Sequence, residues 1–262
     1  MAFSGWNDAC DAASGALAFL LGQADAETFA VVEPEEFYDF QVHRPQVVID
    51  NGGTRRLEWP TTKAISAEFP NQSHDLVVVT GEEPNYRWKT YTRLIAALMS
   101  EADVEMVVTL GAFIGEVAHT QSVPIVGVAT DPDLLVRHGL PASSYEGPTG
   151  IVGVMLEACR EVGIPALSLW AATPHYLAAN PNPAAMLALL ERATSVTGTA
   201  VDTTELAAAA AEFHTRVDAA LDSNDEFAEY VHRLEAGEEA FDPDPGGGVL
   251  VSEIEDFLRH RD

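Results

Sequence analysis

Lysine, cysteine and long apolar runs are what this sequence does without. Among its 262 residues, lysine occurs only as Lys63 and Lys89, and cysteine only as Cys10 and Cys159. The two cysteines stand far apart, with no CxxC pair and no histidine at ligand spacing, which excludes a disulfide framework and a structural zinc centre. No metal is expected. No apolar stretch approaches the ~18–20 residues that a helix needs to cross a bilayer, and the amino terminus has no basic leader segment. A soluble protein of a reducing, cytoplasmic setting, without a membrane partner, is the expectation. Phosphate-binding and catalytic signatures are missing too: there is no GxGxxG, GxxxxGK[ST], GxSxG or HExxH. No cofactor is expected, and no residue is assigned a catalytic role.

Positive charge is the other shortage. Fourteen basic side chains stand against forty-one acidic ones, a net charge of −27. A field of that sign repels phosphate backbones and excludes nucleic acid as a partner. Solubility by self-repulsion, a salt-adapted surface and a preference for basic partners each fit it.

What is present is a rhythm of strands and helices in a chain long enough for one large core and an appendage, since single cores stop growing near ~250–300 residues. Asp75-Leu-Val-Val-Val-Thr80 reads as a strand covered on both faces, as parallel sheets require, and it empties into Gly81-Glu-Glu-Pro-Asn-Tyr-Arg-Trp88. Ala-rich Asp8 to Gly22 reads as a helix, and Thr28 to Glu33 as a strand. Gln46 to Asp50 and Thr54 to Trp59 flank Asn51-Gly-Gly53 as an antiparallel hairpin. Ala64 to Phe69 fits a strand or a short helix. Asn85 to Glu101 spaces Tyr91, Leu94, Ile95, Leu98 and Met99 as one helical face. Strands follow at Glu105–Leu110, Pro124–Thr130 and Gly163–Trp170, and helices at 151–161 and 183–192. Alternation of this kind predicts an α/β fold with a mostly parallel sheet.

The expected organisation is an α/β core over 1–198, a helical extension over 199–236, a flexible acidic Gly/Pro linker over 237–248 and a terminal amphipathic helix over 249–262. That last helix is expected to fold back through Ile254, Phe257 and Leu258. At the other end, Met1-Ala-Phe-Ser leaves barely a strand before Gly5, so a first strand is either truncated or begins at a misassigned start.

The residues that could carry function fall just past the strands. Trp6, Asn7 and Asp8 follow the first; Glu82, Glu83, Asn85 and Trp88 follow the strand at 75–80; His119 and Thr120, then Asp131-Pro-Asp133, then Trp170, His175 and Tyr176 follow the others. In a parallel sheet these segments meet along one edge, where α/β folds keep their ligands. Glu82 and Glu83 could share acid/base work with His119 or His175, but neighbours in an extended loop point apart, and one glutamate capping the following helix explains them as well. The two histidines equally suit backbone-bonded positions. Trp6, Trp88 and Trp170 could stack a ring or seal helix–sheet junctions. Gly147-Pro-Thr-Gly150 could cradle an anion or simply make a tight turn before a helix.

As an ordered set, Gly5-Trp-Asn-Asp8, Gly81-Glu-Glu-Pro-Asn-Tyr-Arg-Trp88, Gly111-Ala112 with His119-Thr120, Tyr145-Glu-Gly-Pro-Thr-Gly-Ile-Val-Gly153, Leu169-Trp-Ala-Ala-Thr-Pro-His-Tyr176 and Asn182-Pro183 resemble the proteasome-assembly-chaperone (PAC2-like) family in its long bacterial, actinobacterial form. The resemblance runs from Trp6 to roughly Glu235. It implies a three-layer α/β/α fold like that of nucleoside phosphorylases, a homo-oligomer of three or more chains, and proteasome subunits or another protein as the partner, with no established enzymatic activity. The alternative is a small-molecule enzyme of the phosphorylase or hydrolase type, with Glu82, Glu83, His119 and His175 in one crevice. Archaeal relatives dock through a hydrophobic-Tyr-X tail, whereas this chain ends Phe-Leu-Arg-His-Arg-Asp262. Shorter relatives also lack the helices from Thr203 onward.

Overall fold

The computed structural model describes residues 1–50, 52–70, 72–177, 181–221 and 225–236, and of 225–227 the backbone only. The linker and terminal helix expected at 237–262 lie outside the described residues. Nine strands are present: β1 (Ala2–Ser4), β2 (Asp25–Val32), β3 (Gln46–Ile49), β4 (Arg55–Glu58), β5 (Thr62–Glu68), β6 (Leu76–Glu82), β7 (Val107–Gly115), β8 (Ile125–Ala129) and β9 (Ala166–Pro174). The helices are α1 (Ala12–Leu21), α2 (Trp88–Glu101), α3 (Pro132–Arg137), α4 (Ile151–Val162), α5 (Pro183–Thr197), α6 (Thr204–Leu221) and α7 (Asp225–Glu235).

Strands β1-β6-β5-β2 form one ladder and β7-β9-β8 another. Backbone bonds along β1 join the two. Leu110 donates its N–H to the Met1 carbonyl at 2.8 Å, and Ala112 donates to that of Asn7 at 2.8 Å. Through parallel pairings, β6, β1, β7 and β9 all run one way at the centre. Antiparallel strands lie at the margins, with β5 and β2 on one side and β8 on the other.

Strand periodicity of two then builds the layers. Ala2, Leu110, Leu167, Leu169 and Ala171 face α1 and α5, where Ala12, Ala13, Ala16, Leu189 and Leu190 close the packing. Phe3, Val79, Val107 and Ala166 face the other way, onto Tyr91, Ile95 and Met99 of α2 and Ile151, Met155 and Cys159 of α4. The result is the three-layer α/β/α arrangement. Fully buried Ile95, Met99 and Met155 each contribute about 1.5–3 kcal/mol of apolar burial. A third cluster joins Ala118, Tyr176 and Leu177 at the end of the sheet to Phe213 and Val217 of α6 and Val231 and Leu234 of α7.

Three details differ from the sequence reading. Ala64 to Glu68 belongs to a strand, held between β2 and β6. Helix α2 opens at Trp88 rather than Asn85, because Arg87 takes a left-handed φ of 54°, and Leu94 on it is exposed. Strand β8 runs against its neighbour, so it delivers Asp131-Pro132-Asp133 to the opposite edge. There the Thr130 N–H bonds to the carbonyl of Ala166, where β9 begins, at 2.9 Å.

Candidate functional site

The carboxyl edge of the four parallel strands gathers the remaining predicted segments, and the bonds its side chains make divide it into three parts. At the end of β1 the chain turns at Gly5, and Asp8 reaches back over α1. Its Oδ1 accepts from the Ala13 N–H at 2.6 Å, and its Oδ2 from that of Ser14 at 3.2 Å. Asp8 is therefore a helix cap. Burial pushes its carboxyl above the usual range, partly offset by the hydrogen bonds from Ser14 and Ala13. Asn7 is fully buried and donates Nδ2–H to Glu83 Oε1 at 2.7 Å.

Glu83 is the hub of this first part. The same Oε1 also accepts the Ile151 N–H, the first of α4, at 2.7 Å. A carboxylate there satisfies an N–H that the helix leaves open and sits at the positive end of its dipole. The sequence reading put a capping glutamate on the following helix; the helix it caps is α4, 68 residues further along the chain. The Asn7 amide lies so close to Gly150 that a Cβ there would come within 2.0 Å of Asn7 Oδ1, which is why the turn before α4 requires glycine.

Glu82 points elsewhere, pairing through Oε2 with His43 Nδ1, a residue the sequence gave no reason to select. The rest of the loop is laced to 37–43: Asn85 Oδ1 accepts the Asp39 N–H at 2.8 Å, and Tyr86 O–H donates to Asp39 Oδ2 at 2.7 Å. Trp88 donates its indole N–H to the Pro84 carbonyl at 2.6 Å and packs on the α2–α4 cluster.

At the ends of β7 and β9 a second network forms. The Tyr176 hydroxyl accepts the His119 backbone N–H at 2.9 Å and lies 2.8 Å from His119 Nδ1, while His119 Nε2 lies 3.0 Å from Asp218 Oδ1 of α6. These partners fit a ring protonated at Nε2, with Tyr176 donating to Nδ1. Tyr176 has no exposed surface, so this tyrosine–histidine–aspartate line is closed to a substrate. His175 Nε2 meets the Tyr230 hydroxyl of α7 at 3.1 Å, and Thr120 O–H donates to Glu235 Oε1 at 2.5 Å. Burial lowers the pKa of His175, and burial with the adjacent His119 lowers that of His214. Asp218, His214, Tyr230 and Glu235 were not selected from sequence; the signal available was polar side chains on otherwise Ala-rich helices.

Between the two networks lies a cleft of about 630 Å³ lined by Trp6, Cys10, Asp11, Phe113, Ile114 and Trp170, among others. Trp6 is 63% exposed, Phe113 41% and Ile114 45%. The Trp170 ring lies over Gly111, where any Cβ would meet it at 2.7 Å. Glu82, Glu83, His119 and His175 engage four separate sets of partners, and none lines this cleft. Among the described residues no three His, Cys, Asp or Glu side chains are placed to hold a metal ion, and no helix is long and apolar enough to cross a membrane.

A family model described as the PAC2 family matches residues 2–221. Among solved structures, a PAC2 family protein from Streptomyces avermitilis is 46% identical and covers 88% of this chain and 97% of its own, with a TM-score of 0.82. A proteasome-assembly chaperone homologue from Mycobacterium tuberculosis is 40% identical over 88% of this chain and 98% of its own, with a TM-score of 0.81. An archaeal proteasome activator from Pyrococcus furiosus shares the fold at 19% identity, with a TM-score of 0.58 over 76% of this chain and 84% of its own. Comparison with curated protein sequences gives no match.

Proposed function

The chain belongs to the PAC2 family, and on that premise we propose that it is a non-catalytic, homo-oligomeric chaperone that binds a protein partner at the carboxyl edge of its sheet. The partner is a proteasome subunit or assembly intermediate, or another protein of the same compartment, the cytoplasm. A homo-oligomer of three or more chains, built from a core over 1–198 and a helical extension over 199–236, completes the reading.

One observation carries it. The polar side chains at this edge are engaged by the protein's own backbone and neighbouring side chains, whereas the apolar ones, Trp6, Phe113 and Ile114, face outward. Exposed aromatic and aliphatic groups rimmed by acidic residues suit a protein surface better than a small polar substrate. An enzyme of the phosphorylase or hydrolase type requires Glu82, Glu83, His119 and His175 around one substrate, and they do not converge.

The test is affinity capture of the full chain from a proteasome-bearing host, beside Trp6→Glu. Proteasome subunits or assembly intermediates bound to the native chain and reduced at least ~10-fold with W6E, which is about 1.4 kcal/mol, are expected. Reproducible absence of such subunits would overturn the proteasome assignment, and equal capture by W6E would remove this edge as the docking surface.

A further inference from the structure

The margin of the sheet farthest from β8 is uncovered. In β2 every residue from Asp25 to Phe29 is exposed, and Phe29 and Val31 are 47% and 59% exposed. One side of β2 pairs with β5; the other has no strand beside it. Long, apolar, unpaired edges are rare in proteins that remain monomers, because their free N–H and C=O groups template pairing. The β3–β4 hairpin, next along the chain, is equally bare. Cross-strand neighbours Val47 and Leu57, with Ile49 beside Val47, form one face with all three more than half exposed. A two-stranded ribbon on its own is marginal in water, so two uncovered β surfaces lie within one stretch of chain.

Charge indicates what covers them. A chain of net charge −27 repels its own copies. Self-association therefore requires a surface that reverses that sign locally. Residues 44–63 supply one: Arg44, Arg55, Arg56 and Lys63 stand against Asp50 and Glu58. Arg56 is paired with Glu58 of its own strand, and Arg55 has no ion pair among the described residues. Residues 25–36 have the complementary sign, with Asp25, Glu27, Glu33, Glu35 and Glu36 and no basic side chain.

We infer that the free edge of β2 in one copy of this chain receives the β3–β4 hairpin of a second copy, strand against strand, with Arg55 and Arg56 set against Asp25 and Glu27 and the Val47–Ile49–Leu57 face over Phe29 and Val31. Backbone bonds hold such an added strand, and opposite charges on facing strands fix its register. Different surfaces meet from the two copies, so the contact is head-to-tail and closes into a ring where the rotation permits. This deepens the self-assembly part of the proposed function and leaves the carboxyl edge free for its partner.

Light scattering of the full chain at micromolar concentration tests it. The native protein is expected at two or more times its 28.1 kDa, while R55E/R56E and D25K/E27K each run at 28.1 kDa with unchanged circular dichroism and melting temperature. Mixed one to one, the two variants re-form assemblies, because each hairpin then meets a β2 of opposite sign. A monomeric native chain, a variant that keeps the native mass, or a mixture that stays monomeric would each overturn the inference. Partner capture at Trp6 is read separately, so failure here and failure of the chaperone reading are distinguishable.

Discussion

The two ends of the carboxyl edge solve one problem with different chemistry. Beside β1 and β6, a single carboxylate, Glu83, serves the buried Asn7 amide and the first N–H of α4. Beside β7 and β9, neutral hydrogen-bonding rings, His119 and Tyr176, fasten α6 through Asp218, and His175 fastens α7 through Tyr230. The first end holds the core's own layers together; the second attaches helices that pack on the core from one side. Stability at the first end should therefore be global, and at the second local and sensitive to pH. The apolar cleft lies between a fixed wall and an adjustable one.

The sharpest test of that contrast is Glu83→Ala. It leaves two buried donors without their acceptor at ~1–3 kcal/mol each, so a global loss of about 2–4 kcal/mol is expected in denaturant unfolding. Next is His119→Ala, which removes a buried ring with bonds on both sides, at a cost of about 1–3 kcal/mol. Its effect should concentrate in faster amide exchange over 204–221, with β6 and β7 still protected. Equal loss of protection in the central strands would break the comparison, because the two ends would then unfold as one unit.

The pH response comes third. His175 and His214 have pKa values depressed by burial below the ordinary 6.5. As pH falls through about 6.5, the unfolded chain takes up protons at these rings before the folded one does, so stability falls with pH. Helices α6 and α7 should loosen between pH 7.5 and 5.5, and H175Q/H214Q should flatten that slope. A slope unchanged in the double variant would place the titration elsewhere. Smallest is Glu82→Ala, which breaks only the partly exposed pair with His43 and should shift stability by less than ~1 kcal/mol.

The legible features in the sequence were the locally encoded ones. Pro183 with Asn182 starts α5 where it stands, and Gln46 to Trp59 folds as its composition announces. Strand direction was not legible: nothing in Ile125–Ala129 says that β8 runs backwards, and so Asp131 and Asp133 were placed at the wrong edge. The site was legible only as an address. Which partner a side chain takes depends on contacts such as Glu83 with Ile151 or His119 with Asp218, 68 and 99 residues apart, and no spacing rule spans such distances. The exposed pair Phe113 and Ile114 was hidden in an apolar run that reads as buried strand.

The Glu83–Ile151 bond also bears on how the chain folds. Gly150 precedes α4 with no side chain of its own to cap it, so the cap arrives from the end of β6. The first turn of α4 is then completed only after β1 and β6 have paired and presented Glu83. Until that moment the 145–151 segment is open to a protease, and afterwards it is shut. A pulse of proteolysis during refolding would use this turn as a clock for sheet closure, with E83A leaving the clock running.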